Sequence, residues 1–259
     1  MTKLHWGTNN MDCLEGLKML KDESIDLTIT SPPYDDLRDY KGYAFDIKKV
    51  VKELYRVTKR GGVCVWVIND RIKNGSKTLT SFRHALLFQD VGFNVNDVMI
   101  WNKTNPMPQV RQPRYNQVFE YMFVFSKGKP KTFNPIMIPC KTSGLSYKST
   151  AKQITTDKNR VYKEMVINKE KVSPNIWDMA VAQNKTSHPA VFPEELVYKH
   201  MISWSNEGDV VMDIFSGSGT THKVALENNR RFIGFEIAKE YCEIEKERLK
   251  SNGLWRYDY

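Results

Sequence analysis

Two hydrophobic rhythms alternate along this chain. Ile25-Asp26-Leu27-Thr28-Ile29 and Val63-Cys64-Val65-Trp66-Val67-Ile68 are compact apolar runs that predict buried strands. Between them, Ile47, Val50, Val51, Leu54 and Val57 recur at helical spacing, which predicts a helix over 46–58 with one apolar face. Lys59-Arg60-Gly61-Gly62 reads as its basic, glycine-stopped end. The same reading predicts a short strand over 3–6, a helix from about Asp12 to Lys21, a helix over 81–90 stopped at Gly92, and strands over 98–101 and 118–125. Regular structure returns at Pro193-Glu194-Glu195, which opens a helix. A strand over 210–215, a helix to about Asn229, a strand over 231–237 and a last helix over 238–250 follow. From Lys127 to about Ser173 the pattern fades into Lys, Thr and Ser. Tyr147, Ile154, Val161, Tyr162, Met165 and Ile167 give that stretch enough apolar content to read as a small insert.

Two strand exits carry chemistry. Thr30-Ser31-Pro32-Pro33-Tyr34 follows the first buried strand, at the edge where open α/β sheets place their sites. Two prolines in succession stiffen the loop and hold the preceding residues extended, so its carbonyls are not committed to a helix. The Ser31 hydroxyl and these carbonyls are placed to accept hydrogen bonds from an amino group, with a flat ring against Tyr34. Alone, such a stretch equally well describes a turn closing a strand. The second exit is Ser216-Gly217-Ser218-Gly219-Thr220-Thr221, a tight glycine loop between a strand and a helix. The next strand ends in Glu236, placed to take two ribose hydroxyls. The loop lacks the Gly-Lys-Ser/Thr of a triphosphate site. With one such unit, an adenosine-sized ligand fits better than a dinucleotide.

The formal net charge is +9, and the stretch 127–171 holds eleven Lys and Arg against three acids. A basic block of this kind points to a polyanion, or else to a solvated lysine-rich loop. In the loop before the strand at 118, Asn102-Lys103-Thr104 through Arg111, Arg114 and Tyr115 interleaves basic and aromatic residues, which suits phosphate contact and base stacking. The four cysteines are scattered without a Cys-x-x-Cys pair, which argues against zinc or a disulfide framework. No apolar run approaches the roughly 20 residues of a membrane span, and the N-terminus lacks a signal-peptide core. A cytoplasmic location is expected.

The chain resembles the β group of amino-methylating, site-specific DNA methyltransferases. Thr30–Tyr34 is similar to the catalytic motif of that family, and Asp213-Ile214-Phe215-Ser216-Gly217-Ser218-Gly219-Thr220 to its S-adenosylmethionine motif. Asn10-Met11-Asp12-Cys13 and Ser187-His188-Pro189 through Pro193 match two flanking segments, so the resemblance covers most of the chain. It implies an α/β fold: a seven-stranded, mostly parallel, Rossmann-like sheet, circularly permuted so that the catalytic half comes first. The expected organisation is a catalytic half over 1–126, a target-recognition insert over 127–175 and a cofactor half of the same domain over 176–259. Ser31, Pro32, Pro33 and Tyr34 would hold a flipped-out base. Phe215, Gly217, Gly219 and Thr220, with Asp213, would form the cofactor site, Glu236 would bind the ribose, Asp12 the adenine edge, and His188 would lie near the methionine end. Arg38, Lys103, Arg111, Arg114, Lys148 and Lys152 are the candidate DNA contacts. The implied cofactor is S-adenosylmethionine, without a metal, and the implied partner is double-stranded DNA, with a cognate restriction endonuclease left open. In the family, Ser in the first motif position goes mostly with cytosine N4, so that atom is the expected target and adenine N6 the alternative. A nucleic-acid-binding protein that has lost catalysis, and more distantly a nicotinamide-dependent oxidoreductase, are the readings from other classes.

Overall fold

The computed structural model describes residues 4–33, 46–106, 113–150, 162–181 and 193–254, with backbone alone at 147–150 and 162–165. The elements run β1 Gly7–Asn10, α1 Cys13–Met19, β2 Ile25–Thr30, α2 Ile47–Val57, β3 Thr58–Ile68, β4 Ile72–Lys73, β5 Ser76–Lys77, α3 Thr80–Val91, β6 Asn94–Lys103 and β7 Phe119–Ser126. They continue with β8 Met137–Pro139, β9 Ser146–Thr150, β10 Tyr162–Val166, β11 Glu170–Val172, β12 Ile176–Met179, α4 Glu194–Trp204, β13 Val210–Asp213, α5 Thr220–Glu227, β14 Arg231–Glu236 and α6 Lys239–Ser251. The chain divides into two compact units, one of 1–134 with 175–259 and one of 135–174.

The larger unit is built on one sheet in the order β1-β14-β13-β2-β3-β7-β6-β12. Every neighbouring pair is parallel except the two that involve β7. The two strands that flank the glycine loop, β13 and β14, are late in sequence yet lie between β1 and β2. The circularly permuted, mostly parallel sheet is thus present, but with eight strands rather than seven. The eighth, β12, pairs with the β6 edge, Ile176 opposite Ile100, and turns Trp177 and Met179 inward. Four residues are too few for that alternation to stand out in the sequence.

Burial explains the strongest predictions. All six residues of β2 are buried, as a strand covered on both faces requires. The apolar stripe of α2 buries Val50, Val51, Leu54 and Val57 behind an Asp46 cap. Trp66, Phe88, Phe93 and Phe125 are buried together, with Phe88 and Phe125 stacked at 4.1 Å. Gly92 ends α3 in the left-handed conformation, as expected.

Three predictions fail locally. Lys59–Gly62 does not simply end a helix; it is a bulge inside β3, where the pairing with β2 skips from Thr58 to Val63. Gly61, at φ +77°, turns its N–H to the Lys127 carbonyl, 2.7 Å away. The first strand is 7–10 rather than 3–6. Its Gly-Thr-Asn-Asn sequence is polar because Asn9 and Asn10 spend their side chains on backbone carbonyls of their own loop and of β14. Residues 127–134 belong to the larger unit: the Lys127 and Lys131 amides bond to Gly62 and Gly61, and the Asn134 amide to Ser203. The smaller unit therefore starts at Pro135, later than the expected insert. It contains two antiparallel pairs, β9 with β10 and β8 with β11. Among the described residues no helix is long and apolar enough to cross a membrane.

Candidate active site

Parallel strands end at a common edge. In register, Thr30 lies opposite Trp66, Thr28 opposite Met212, Asp213 opposite Gly234, and Asn10 opposite Glu236. The carboxyl ends of β1, β14, β13, β2 and β3 thus bring together 10–12, 236–238, 213–219, 31–33 and 69–70.

The glycine loop is cut to fit this edge. Gly217 and Gly219 sit at φ +52° and +76°, a region other residues enter at a cost. A Cβ on Gly219 would stand 2.3 Å from the Glu245 Cγ, so the loop rests directly on α6. Gly234 leaves room for Ser216 in the same way, where a Cβ would fall 2.2 Å from the Ser216 Oγ. From α6, Arg248 donates to the Ser218 carbonyl at 3.1 Å and to the Thr220 hydroxyl at 3.0 Å.

Glu236 closes one side of the loop. Its Oε2 accepts the Gly217 N–H at 2.9 Å and its Oε1 the Ala238 N–H at 2.8 Å. Burial pushes its carboxyl up, against those two bonds. Each oxygen keeps a second acceptor direction, which suits a diol. Next to it, the Met11 N–H and the Asn10 amide hold the Glu236 carbonyl at 3.0 and 2.9 Å. Asp12 caps α1 with Oδ1 alone, accepting from Leu14 at 2.9 Å and Glu15 at 3.2 Å. Asp12 is thus the helix cap, and among the described residues its other oxygen takes no hydrogen bond. This set of rigid amides, a half-committed carboxylate and a loop without side-chain bulk fits an adenosine-type group.

Asp213 behaves differently from the expectation that it faces the cofactor. Its side chain is buried and turned inward: Oδ1 accepts the Thr30 hydroxyl at 2.6 Å and the Phe215 N–H at 3.0 Å, and Oδ2 the Thr221 hydroxyl at 2.7 Å. Burial raises its pKa to about 6 in spite of those donors. Asp213 therefore fastens the residue before Ser31 to both ends of the glycine loop. Thr30, Thr221, Glu245 and Arg248 were not singled out from the sequence. Thr30 and Thr221 lie inside the two quoted stretches; Glu245 and Arg248 reach the loop from α6 through packing that spacing does not reveal.

Ser31 and Pro33 are partly exposed at the edge and Pro32 is buried. Phe215 is partly exposed, its ring 6.4 Å from that of Trp66. Among the DNA candidates, Lys103 is tied to Glu120 at 2.6 Å and lies over Trp101, because the β6–β7 ladder sets those residues side by side. Its charge is matched within the fold by Glu120. Arg114 donates to the Gly75 carbonyl at 2.9 Å. Tyr34, Arg38, Arg111, Lys152 and His188, and the side chain of Lys148, lie outside the described residues.

Known proteins resemble this chain in sequence and fold. A family model described as DNA methylase, covering N6 and N4 methyltransferases, matches residues 25–247. The orphan methyltransferase M.BamHII of Bacillus amyloliquefaciens is 49% identical over 242 residues, 89% of this chain and 90% of its own length. The type II methyltransferase M.HpaI of Haemophilus parainfluenzae is 32% identical, over 93% of this chain and 73% of its own. Among solved structures, the cytosine-N4-specific PvuII DNA methyltransferase superposes with a TM-score of 0.68 at 22% identity, covering 94% of this chain and 88% of its own, a likeness of fold. The M1.HpyAVI–SAM complex gives 0.61 at 25% identity, covering 93% and 98%. With the family model spanning both strand exits, and a relative at nearly half identity along most of the chain, this protein belongs to the N6/N4 family of DNA methyltransferases.

Proposed function

We propose that this DNA methyltransferase transfers a methyl group from S-adenosylmethionine to the exocyclic N4 of a cytosine turned out of double-stranded DNA. The observation that carries the reading is the Thr30–Asp213 hydrogen bond, 2.6 Å long, which couples the start of the amine-accepting loop to the glycine loop. The cofactor, when bound, supplies an electrophilic methyl on a sulfonium. In this reading Glu236 takes the ribose hydroxyls on the lone pairs its backbone bonds leave over, Asp12 meets the adenine edge, and the glycine loop lets the ligand approach the backbone.

An exocyclic amine on a base is a poor nucleophile because its lone pair is delocalised into the ring. The Ser31 hydroxyl and the Pro32 carbonyl accept its two hydrogens in a geometry that favours a pyramidal nitrogen, which lowers the barrier by preorganisation. The base must leave the stack to reach that position. Tyr34, by its place in the motif, provides the stacking face. Ser31 at the first motif position supports cytosine N4 over adenine N6. A cognate endonuclease is not part of this reading, since the Bacillus relative is itself named an orphan.

The test is to incubate the protein with unmethylated genomic DNA and methyl-labelled S-adenosylmethionine, digest to nucleosides and identify the labelled product by mass spectrometry. N4-methylcytosine is expected. N6-methyladenine would overturn the choice of base and leave the amine chemistry. Label in neither base, with cofactor binding intact, would overturn the reading altogether.

A further inference from the structure

Two charged residues on different helices meet beside the glycine loop. Arg248 lies in the last turn of α6 and Glu194 in the first turn of α4. At such positions a basic and an acidic side chain ordinarily do no more than answer the helix dipoles. Here they cross from one helix to the other: Arg248 Nη2 donates to Glu194 Oε1 at 2.6 Å. The other arm of the same guanidinium, Nη1, donates to the Ser218 carbonyl and the Thr220 hydroxyl, which stand on either side of Gly219. α5 begins at that glycine, in the left-handed conformation and with no side-chain cap. The turn is therefore held from α6 rather than by a cap of its own.

The charges around this fork are matched. Glu194 Oε2 accepts from Lys223 at 2.8 Å, and Lys223 also reaches Glu227 at 2.8 Å, so two cations face two carboxylates. Burial works to raise the Glu194 carboxyl, but the Lys223 and Arg248 bonds outweigh it and hold it below its usual value. The Glu194 side chain is 46% exposed, so solvent screens its pair with Arg248 and the pair adds little to stability. What the pair does supply is geometry. α4 lies against β2 and β3, and β2 leads into Ser31. One planar guanidinium thus fixes the glycine loop relative to the helix that backs the Ser31 strand.

We infer that Arg248 is a positioning residue for the methyl donor, its fork bracing the glycine loop against Glu194 of α4 in the position that binds S-adenosylmethionine. This role rests on the glycine loop being the cofactor site, as proposed above, and Arg248 acts through the backbone of that loop. The brace needs the rigid fork of a guanidinium. An ammonium on a flexible stem is a single point of attachment and does not hold both ends in one geometry.

The test measures S-adenosylmethionine affinity of the full chain by calorimetry, with the melting temperature of each variant beside it. Arg248→Met is expected to weaken binding about tenfold, the scale of one charge-assisted hydrogen bond. Glu194→Gln is expected to weaken it by a similar factor while moving the melting temperature by no more than about 4 °C. The double variant should bind no worse than Arg248→Met, because both changes remove the same brace. Arg248→Lys should recover only part of the loss. In steady-state methylation of genomic DNA, the KM for S-adenosylmethionine should rise in each variant and the KM for DNA should hold. Wild-type affinity in Arg248→Met, full recovery in Arg248→Lys, or losses that add in the double variant would each overturn the brace. Unchanged affinity in Glu194→Gln would overturn it too, which keeps the test decisive if Arg248→Met does not fold. Gly219→Ala separates this role from the site it serves. Wild-type affinity in that variant would overturn the cofactor site and the brace with it, whereas weakened binding there beside an unaffected Arg248→Met would overturn the brace alone.

Discussion

Asp213 shows how one buried carboxylate sets the geometry of a site it does not line. Its folded pKa is raised from 3.8 to about 6. The folded state therefore holds a proton more tightly than the unfolded chain between those values, and stability from this group is fully present below 3.8 and lost as pH rises through about 6. The difference amounts to roughly 3 kcal/mol. Asp213→Asn should flatten that dependence, so urea titrations of wild type and variant from pH 4 to 7 should diverge with rising pH, the variant gaining. Parallel curves would mean that Asp213 is not perturbed. Thr30→Val removes the 2.6 Å donor while keeping the shape, and Thr30→Ser restores it. The valine variant should lose methylation rate with little change in cofactor affinity, and the serine variant should recover it. Asp213 was legible as part of a motif, but its inward direction was not. A sequence shows that an Asp ends a strand; which donors surround it depends on strands paired across the whole chain.

At the scale of elements, the reading succeeded where burial dictates composition. The six residues of β2 and the stripe of α2 leave no alternative to a strand and a helix, and both were placed within a residue or so. It failed where polar side chains do the work of structure, as in β1, and where a glycine pair serves a bulge rather than a helix end, as at Gly61. The β4–β5 hairpin did carry a signal, since Asn74-Gly75 is the preferred pair for a tight turn of this kind, but its strands are too short to show alternation. The glycine loop was read correctly as a tight turn. What the sequence could not show is that Gly219 rests on Glu245. Gly219→Ala should therefore do more than impose a left-handed strain of about 1–2 kcal/mol. It should also displace the start of α5, lowering the melting temperature and weakening S-adenosylmethionine binding together. Unchanged calorimetric affinity would mean that the loop is not the cofactor cradle.

Over the whole molecule, the active edge has a counterpart at the other end of the sheet. Asp26, at the start of β2, is buried and joined to both Lys59 and Lys131, and it accepts the Val210 N–H at 3.0 Å. Burial works to raise its carboxyl, yet the Lys131 and Lys59 bonds outweigh that and leave it below 3.8. Its sign is opposite to that of Asp213: the stabilisation is present above 3.8 and lost as pH falls through the lowered folded value. Asp26→Ala should cost about 1–3 kcal/mol at neutral pH, because it orphans a buried amide and frees two half-exposed lysines. Chemical denaturation should show that deficit shrinking below about pH 4. The parallel sheet and its permuted order were expected from the resemblance and are present. The eighth strand, and the packing of 127–134 with the larger unit, were not legible, because both depend on edges that exist only once the sheet has formed.

The pairing of β1 with β14 carries a further consequence for how the protein is made. Among the described residues, the strand partner of Gly7–Asn10 is β14, more than two hundred residues downstream. On the ribosome, β1 must wait for β14. The loop after β2 can take shape early, beside β3, while Asp12 and Glu236 meet only once β14 has been made. A nascent or truncated chain lacking β14 therefore presents a bare strand edge and lacks Glu236. The order of elements along the chain thus delays completion of this edge until β14 has been made.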